Sequence, residues 1–412
     1  MSVNNDLEAM YHAAIEAVKG RSAVRRWLED HPLSGEWHVL ALGKAGCSMA
    51  HGAMDVLGDR VTSGLVVTRE GYLDEAITAD ARFRVVESAH PVPDGRSLEA
   101  GRAAVDFLRE APANARFLLL VSGGTSALLE LLADEAGAEQ LAELNRRLLA
   151  SGLDIIAMNR IRKRFSRVKG GRLARWLDGR EARQLVISDV QGDDPVAIGS
   201  GPLVPDPDPD RSPLQAEFRD LCAEAEAPPS PDDPCFSALE THLVATNRHA
   251  RHAAAEEAQR RGYAVTVHDD VFLEGDAVAL GRELARTVID GAPGVHVWGG
   301  EPTVVLPREP GEGGRMQALT LAAATELAGH SGCWLLGGGT DGADGPTEAA
   351  GAVVDGGTVE RGTAYGAPAA TALECADAGR YLAASGDLLH TGPTGTNVMD
   401  VVIGLHQGSD ER

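Results

Sequence analysis

The stretch from Leu118 to Leu132, LLLVSGGTSALLELL, restricts the fold of this chain more than any other segment. Its first four residues are typical of a buried strand, and a Leu-rich run that we expect to be a helix follows. Between them lie Ser122, Gly123, Gly124, Thr125 and Ser126. Backbone N–H groups at such a turn point to one place and the helix dipole adds positive potential, which predicts a phosphate or carboxylate site. A tight turn that binds nothing explains the same residues, and no Gly-Lys-Ser/Thr makes it a Walker A loop.

Apolar runs of strand length alternate with helix-forming segments through the first half of the chain. We expect strands at 37–42, 64–68, 83–87, 118–121 and 184–188, and helices at 6–30, 47–56, 97–109 and over most of 138–177. This alternation predicts a parallel, doubly wound α/β sheet. Ligands of such sheets bind beyond the carboxyl ends of the strands. Three of these ends carry unusual residues, at Lys44, Ser122 and Asp189.

The segment from Pro202 to Pro234 is rich in Pro, Asp, Glu and Ala, which is typical of an irregular connection with at most a short helix. From His242 the alternation of strands and helices begins again. We expect strands at HLVAT, YAVTVHD and VHVWGG, a further strand before the next helix, and a strand at CWLLGGG. The sequence therefore predicts a second α/β domain.

The chain has 412 residues and a formal net charge of -23, so we expect neither nucleic acid nor an anionic membrane as a partner. No apolar run reaches membrane length, and the first residues indicate an amphipathic helix rather than a signal peptide. Five scattered cysteines without a CxxC pair indicate neither a zinc site nor a disulfide framework. We expect a soluble, cytoplasmic protein, and the sequence leaves open whether it is a monomer or a homodimer.

An anionic substrate of so acidic a protein needs a local positive pocket. Lys44 follows a strand and opens a helix in the motif GKAG, where a cation is locally unfavourable. This position favours a role in holding a phosphate over that of a solvated lysine. Other basic candidates lie in a later segment that contains Asn159, Arg162, Lys163 and Lys169. A solvated helix face explains most of those charges equally well.

Three carboxylates follow the strand at 184–188, in the motif SDVQGDDP. Carboxylates at a strand end can hold Mg²⁺ or accept a proton from a substrate hydroxyl. Turn formation alone explains Asp193 and Asp194, whereas Asp189 comes directly after the apolar run and is the stronger candidate.

Glycine-rich motifs follow in the second half of the chain. Arg315 in GGRMQ begins a helix, so a bound phosphate would compensate its unfavourable position, although a flexible hairpin is an alternative. The loop at 337–351 carries Asp341 among glycines that let a backbone approach a ligand closely. Its formal match to a dinucleotide fingerprint lacks the required βαβ unit. The remaining candidates are Glu301 in GGEPT and Thr394 and Asn397 in TGPTGTN.

Together these segments resemble the type II glycerate kinases, the glycerate 2-kinases with a C-terminal MOFRL domain. Nine motifs carry the resemblance, in the family's order: LGKAGCSM, HPVPDGRS, SGGTSALL, NRIRKRFSRVKGGRLA, SDVQGDDP with GSGP, GGEPTVV, GGRMQALTLA, GTDGADGPTEAAGA and TGPTGTNVMDV. The resemblance implies an ATP- and Mg²⁺-dependent kinase that converts D-glycerate to 2-phosphoglycerate. The family's key lysine falls on Lys44 and its key arginine on Arg315.

The resemblance also implies a larger Rossmann-like domain at residues 1–238, a smaller α/β MOFRL-type domain at 239–395, and an active site in the cleft between them. It allows residues 396–412 to pack back on the first domain. Lys44, Arg315, Asp189 and Asp193 become the catalytic candidates, and Asp189 and Asp341 the metal candidates. The candidate ligands of substrate or phosphate are Ser122, Gly123, Gly124, Thr125, Ser126, Asn159, Arg162, Lys169, Glu301, Asp341, Thr394 and Asn397.

The chain departs from the family pattern in its second half. Met316 and Met399 stand where the family usually has Asn, Ala318 stands where it has Glu, and Pro302 interrupts GGET. These changes leave open the acceptor range and which domain binds the nucleotide. Two alternatives also stay open: a hydroxypyruvate reductase, a name that relatives often carry although no nicotinamide fingerprint is present, and an inactive sugar-acid-binding homologue.

Overall fold

Two six-stranded sheets organise the described part of the chain. The computed structural model describes residues 2–133, 136–209, 212, 214–215 and 218–408. Residues 210, 211, 213, 216 and 217 of the predicted irregular connection, and 409–412 of the predicted tail, lie outside the described residues. The chain divides into an N-terminal unit, Lys19–Val244, and a C-terminal unit that combines Met1–Val18 with Ala245–Arg412.

The first sheet forms the core of the N-terminal unit. Its strands are β1 (Trp37–Leu42), β2 (Val61–Arg69), β3 (Phe83–Ser88), β4 (Phe117–Val121), β5 (Ala182–Ile187) and β6 (Leu239–Ala245). They are arranged in the order β3-β2-β1-β4-β5-β6, and β3–β2, β2–β1, β1–β4 and β4–β5 are parallel pairs. The direction in which strands are added reverses between β1 and β4. Loops that follow two such strands diverge and leave room for a ligand at the edge of the sheet.

The second sheet belongs to the C-terminal unit. Its strands are β7 (Val265–Leu273), β8 (Gly294–Gly300), β9 (Cys333–Gly339), β10 (Gly351–Asp355), β11 (Leu388–Leu389) and β12 (Asp400–His406). Their order is β11-β10-β9-β12-β8-β7, in which only β7 and β8 form a parallel pair. Because β12 runs antiparallel to both β8 and β9, its first residue, Asp400, lies opposite the carboxyl-terminal residues Gly300 and Gly339.

The helices cover the sheets through their apolar faces. In chain order they are α1 (Val3–Val18), α2 (Gly20–Asp30), α3 (Gly46–Leu57), α4 (Glu75–Thr78), α5 (Gly95–Glu110), α6 (Thr125–Leu128), α7 (Ala138–Ala150), α8 (Ile155–Phe165), α9 (Asn247–Arg260), α10 (Ala277–Asp290), α11 (Arg315–Leu327), α12 (Thr358–Arg361), α13 (Ala369–Glu374) and α14 (Ala378–Ser385). Small residues of α5, such as Ala100 and Ala104, are buried in the same core as Leu119 and Val121 of β4. No helix in the described ranges is long and apolar enough to span a membrane.

Two predicted helices differ in the structure. The helix expected over 6–30 is divided into α1 and α2, because the backbone of Lys19 is extended (φ -54°, ψ 138°). The Leu-rich helix expected after Ser126 is a single turn, α6, and the backbone is extended at Leu129 (φ -122°, ψ 115°). The residues from Leu128 to Ala133 are all buried, so the run has no polar face of the kind that an amphipathic helix requires.

The predicted domain boundaries are also corrected at three places. The strand β6, expected to open the second domain, pairs at the edge of the first sheet. The tail, instead of packing on the first domain, supplies the central strand β12 of the second sheet. The helix α1 joins the C-terminal unit, where the Tyr11 hydroxyl donates a 2.6 Å hydrogen bond to the Gly339 carbonyl. The strand expected after β8 is absent from the described residues 301–314, which form only an isolated bridge at Thr303.

Candidate active site

The loops that follow β1 and β4 are joined by hydrogen bonds at the reversal point of the first sheet. The Lys44 N–H donates to the Gly123 carbonyl at 2.9 Å, and the Ala45 N–H donates to Ser122 Oγ at 3.1 Å. The Ser122 N–H donates to the Leu42 carbonyl at 2.9 Å. These bonds place the start of the Lys44 side chain beside the SGGTS turn, as expected for the ends of adjacent parallel strands.

Two glycines of this turn allow neighbouring side chains to pack closely against its backbone. Gly124 has a φ of +84°, a left-handed conformation that glycine adopts without strain, and a Cβ there would lie 3.1 Å from Lys44 Cγ and 3.2 Å from His90 Cδ2. A Cβ at Gly123 would lie 1.8 Å from Asp189 Oδ2. The structure therefore brings Lys44 and Asp189 to one turn, as the sequence predicts, and adds His90.

The hydroxyl groups of the turn divide between two roles. Ser122 and Thr125 are buried, and their side chains bond to backbone: Ser122 Oγ accepts from the Ala45 N–H of the loop after β1, and Thr125 Oγ1 donates to the Ser122 carbonyl at 2.8 Å. Both residues therefore support the turn instead of facing a ligand. Ser126 Oγ lies 2.8 Å from Ser200 Oγ at the wall of a pocket. The expected contribution of a helix dipole is wrong, because α6 has only four residues.

A pocket of about 190 Å³ opens beside the turn. Its described lining contains no carboxylate, whereas the chain as a whole is strongly acidic. The lining residues are His90, Pro91, Pro93, Gly124, Ser126, Ala127, Asn159, Arg162, Ala197 and Ser200. The pocket therefore unites the SGGTS turn with the predicted residues Asn159 and Arg162.

Two other residues of the basic segment have structural partners. Lys169 is 1% exposed, forms an ion pair with the equally buried Glu130, and donates to the Leu129 carbonyl at 3.1 Å. It cannot reach a soluble anion, so its prediction as a ligand of substrate or phosphate is corrected. Lys163 forms a 2.9 Å ion pair with Asp206.

His90 carries no charge at neutral pH. Burial, with smaller contributions from the positive charges of Lys44 and Arg69, lowers its pKa to about 4. A neutral imidazole can both donate and accept a hydrogen bond at the pocket wall. His90 and Ser200 occur in the motifs HPVPDGRS and GSGP but were not among the predicted site residues; Ser200 adopts a left-handed conformation (φ 65°) beside Ser126.

In the C-terminal unit, Arg315 at the start of α11 is fixed by carboxylates. Its Nε donates to Asp400 Oδ2 at 2.7 Å, its Nη2 to Asp400 Oδ1 at 3.2 Å, and its Nη1 to Glu301 Oε1 at 2.9 Å. The sequence analysis expected a bound phosphate to compensate the positive charge of Arg315. In the structure Asp400 and Glu301 balance this charge. Within the described residues these bonds use three of the five N–H groups of the guanidinium, and its side chain is 33% exposed. Asp400, which is 2% exposed, was missed because it is the first residue of an otherwise apolar strand.

The two Gly/Thr-rich loops of this unit meet near the same strand ends. The Thr394 N–H donates to the Asp341 carbonyl at 3.4 Å, and Thr394 Oγ1 donates to the Thr340 carbonyl at 2.6 Å. Asn397 Oδ1 accepts a 3.0 Å hydrogen bond from the Met399 N–H. The side chains of Thr394 and Asn397 are thus engaged with the loop backbone, and Asp341 remains the carboxylate of these loops that is half-buried beside the strand ends.

A preformed metal cage is absent from the part of the chain that the structure describes, since no group of three His, Cys, Asp or Glu side chains is suitably arranged. Asp189 and Asp341 belong to different units. Asp193, in a left-handed turn (φ 55°), forms no side-chain hydrogen bond or ion pair within the described ranges. A metal at either carboxylate would therefore take further ligands from a bound phosphate and water, as Mg²⁺ commonly does.

The departures from the family pattern lie in the protein interior. Met316 and Ala318 are part of the hydrophobic core of the C-terminal unit. Met399 is 3% exposed and has a φ of +69°, a conformation in which Asn is enriched and Met is strained. These three substitutions therefore change core packing and backbone strain, and none of the three side chains faces solvent.

Asp344 gives the C-terminal unit a pH-dependent stability. Burial raises its pKa to about 6, although its oxygens accept hydrogen bonds from the N–H groups of Gln317 and Met316 at the start of α11. Its contribution is fully present below the unfolded pKa near 4 and is lost as pH rises through about 6, because the unfolded carboxyl ionises first. Between pH 4 and pH 7 we expect Asp344→Asn to gain at most about 3 kcal/mol of unfolding free energy relative to wild type. Urea unfolding at both pH values measures this, and a pH-independent difference would contradict it.

Comparisons with known proteins agree with this architecture. A profile described as a domain of unknown function (DUF4147) matches residues 6–228, and the MOFRL family profile matches residues 294–400. The D-glycerate 2-kinase of Thermotoga maritima is 36% identical over 95% of this chain and 95% of its own. A protein of Agrobacterium vitis named as a hydroxypyruvate reductase is 34% identical over 97% of this chain and 94% of its own. The crystal structure of the Thermotoga maritima glycerate kinase has a TM-score of 0.87 at 33% identity, covering 98% of this chain and 99% of that chain.

Proposed function

Because this chain belongs to the glycerate kinase family in which a DUF4147 domain precedes a MOFRL domain, we propose that it phosphorylates D-glycerate. ATP is the proposed donor, the 2-hydroxyl is the proposed acceptor, and 2-phosphoglycerate is the product. The observation that carries the proposal is the pocket beside the SGGTS turn. In a chain with a net charge of -23, its described lining holds a guanidinium and no carboxylate.

The size and polarity of this pocket suit a short hydroxy acid. At about 190 Å³ it is large enough for three carbons with their oxygens. Ser126 and Ser200 offer hydroxyl groups to the substrate hydroxyls, and Arg162, to which Asn159 is hydrogen-bonded, offers charge to the substrate carboxylate. Neutral His90, which also lines the pocket, adds no charge that would attract a second anion.

Lys44 is proposed to stabilise the phosphoryl group in transfer. Phosphoryl transfer spreads negative charge over three equatorial oxygens, so its catalysis depends on fixed positive charge and on alignment of the reacting oxygens. Lys44 begins beside Gly124, which lines the pocket, and no acidic partner to its ammonium occurs in the described part of the chain. We propose that Arg315 offers further N–H donors to phosphate from the C-terminal unit, with Asp400 and Glu301 fixing its orientation.

Asp189 is the proposed base or metal carboxylate of the N-terminal unit. Its Oδ2 lies against the backbone of Gly123, next to Gly124 of the pocket wall. From this position it can orient or accept the proton of the 2-hydroxyl, and Asp193 is the second candidate. Asp189 and Asp341 would hold Mg²⁺, whose charge, when bound, would neutralise the phosphates of the nucleotide.

The decisive experiment gives the purified protein D-glycerate and Mg-ATP and passes the product directly to enolase. We expect phosphoenolpyruvate to form, because enolase accepts the 2-phospho isomer. Samples with L-glycerate, with EDTA or without ATP serve as controls. ADP release without enolase conversion would contradict the 2-hydroxyl as the acceptor. NADH consumption with hydroxypyruvate and no ADP release would support the reductase, and glycerate binding without either reaction would support an inactive homologue.

A further inference from the structure

The guanidinium of Arg162 is held by two neutral amides. Its Nη1 donates to Asn159 Oδ1 at 3.1 Å, and its Nη2 donates to Asn145 Oδ1 at 3.4 Å. Asn145 is 3% exposed and is itself fixed by a 3.0 Å hydrogen bond from its Nδ2 to the Leu141 carbonyl within α7. Asn159 lies on α8, so two helices fix the orientation of one arginine.

No carboxylate neutralises this arginine within the described residues, none of which forms an ion pair with it. Burial lowers the pKa of Arg162, and the negative charge of Glu130 opposes that shift. Glu130 is engaged in the buried ion pair with Lys169, so these three side chains together carry one uncompensated positive charge. The Nε of Arg162 is buried and has no hydrogen-bond partner among the described residues.

An arginine held by amides keeps a net positive charge that an arginine held by carboxylates loses. Amide oxygens accept its N–H groups and restrict its rotamer, but they leave its full charge for a ligand, whereas Asp or Glu would cancel that charge. A half-buried guanidinium that has lost water without gaining a counter-ion interacts strongly with an anion that enters the pocket. Arg315, which is balanced by Asp400 and Glu301, shows the opposite arrangement in the same chain.

We propose that Arg162 is the carboxylate anchor of a short 2-hydroxy acid, and that Asn145 is a positioning residue that, with Asn159, orients the anchor without neutralising it. The proposal rests on the proposed function for the identity of the acid and refines it. The carboxylate, and neither the phosphate nor a hydroxyl, becomes the group by which the pocket selects its substrate. Glycerol and glyceramide, which lack the anion, should therefore be poor ligands.

Replacement of each asparagine by aspartate tests this role at constant size. Asn159→Asp and Asn145→Asp place a carboxylate on Arg162 and cancel its charge. Hydrogen bonds to a charged group are worth enough to change affinity by about 10- to 100-fold, so we expect KM for D-glycerate to rise about 30-fold with kcat changed less than threefold. Asn5→Asp, on the exposed face of α1, adds the same charge as a control and should leave both constants unchanged.

A binding measurement without nucleotide tests the carboxylate anchor independently of catalysis. Titration calorimetry without nucleotide should show D-glycerate, D-lactate and glycolate binding to wild type about 30-fold more tightly than to Asn159→Asp, and glyceramide binding equally weakly to both. Asn145→Asp can destabilise α7, because Asn145 bonds to the Leu141 carbonyl, so the thermal unfolding of this variant is measured as well. Asn159 is more exposed, so Asn159→Asp tests the anchor with less risk to folding. Equal affinity of wild type and Asn159→Asp for the acids would overturn the proposal. If wild type transfers no phosphate but still binds the acids more tightly than Asn159→Asp does, the kinase function is refuted and the carboxylate anchor is retained.

Discussion

Lys44→Ala is expected to lower kcat at least about 100-fold while KM for D-glycerate changes by only a few fold. The Lys44 side chain lies against Gly124 of the SGGTS turn, and its ammonium forms no ion pair with a carboxylate among the described residues. Its interaction with the phosphoryl group should strengthen as charge spreads over the transferred oxygens, so its loss affects the transition state more than the bound ground state. Steady-state kinetics with both substrates varied measures the two constants separately.

Two matched variants make the Lys44 result interpretable. Lys19→Ala removes another lysine of the same unit that is half-buried and outside the candidate site, and it should change kcat by less than about twofold. Lys44→Arg keeps the charge but replaces a compact ammonium by a planar fork, and it should recover only part of the activity. A Lys44→Ala enzyme with normal kcat and raised KM would show that the lysine binds a substrate without stabilising the transition state.

Arg315→Ala is expected to reduce both activity and stability. Removal of its N–H donors should lower kcat at least about 100-fold. It also leaves Asp400 buried without its ion-pair partner, and such a loss typically costs about 3–5 kcal/mol. Denaturant unfolding measures the second effect, and steady-state kinetics under conditions where the variant is folded measures the first.

The double variant Arg315→Ala/Asp400→Asn separates these effects. Since the amide introduced by Asp400→Asn carries no charge, the double variant should regain most of the unfolding free energy lost by Arg315→Ala. Its kcat should stay low, because the guanidinium is still missing. If Asp400→Asn restored activity together with stability, Arg315 would act only as a structural partner of Asp400, and its catalytic role would be refuted.

The sequence predicted the strands of the first sheet well because their signal is local. Apolar runs such as Trp37–Leu42 are buried over most of their length and end at glycine or polar residues. The run from Leu128 to Leu132 gave no such guidance, since buried strands, buried helices and buried extended segments share the same composition. The pairing of β12 between β8 and β9 joins residues distant in sequence, and no local pattern indicates such a partner.

The candidate site was predictable where a residue follows directly from a strand end. Lys44, Gly123 and Asp189 follow β1, β4 and β5, and adjacent parallel strands bring their carboxyl ends together. The partners of charged side chains were not predictable, because they depend on tertiary packing. Lys169 and Arg162 belong to one basic segment, yet Glu130 pairs with the first, whereas amides alone hold the second.

The position of β12 has a consequence for the order in which the protein folds. The N-terminal unit is continuous in sequence, so it can fold while the ribosome is still synthesising the rest of the chain. The C-terminal unit cannot, because α1 is synthesised first of all its elements and β12 last. Until β12 has been synthesised, α1 has no completed sheet to pack on. During the same time β8 and β9, once synthesised, expose unpaired edges to other nascent chains until β12 inserts between them.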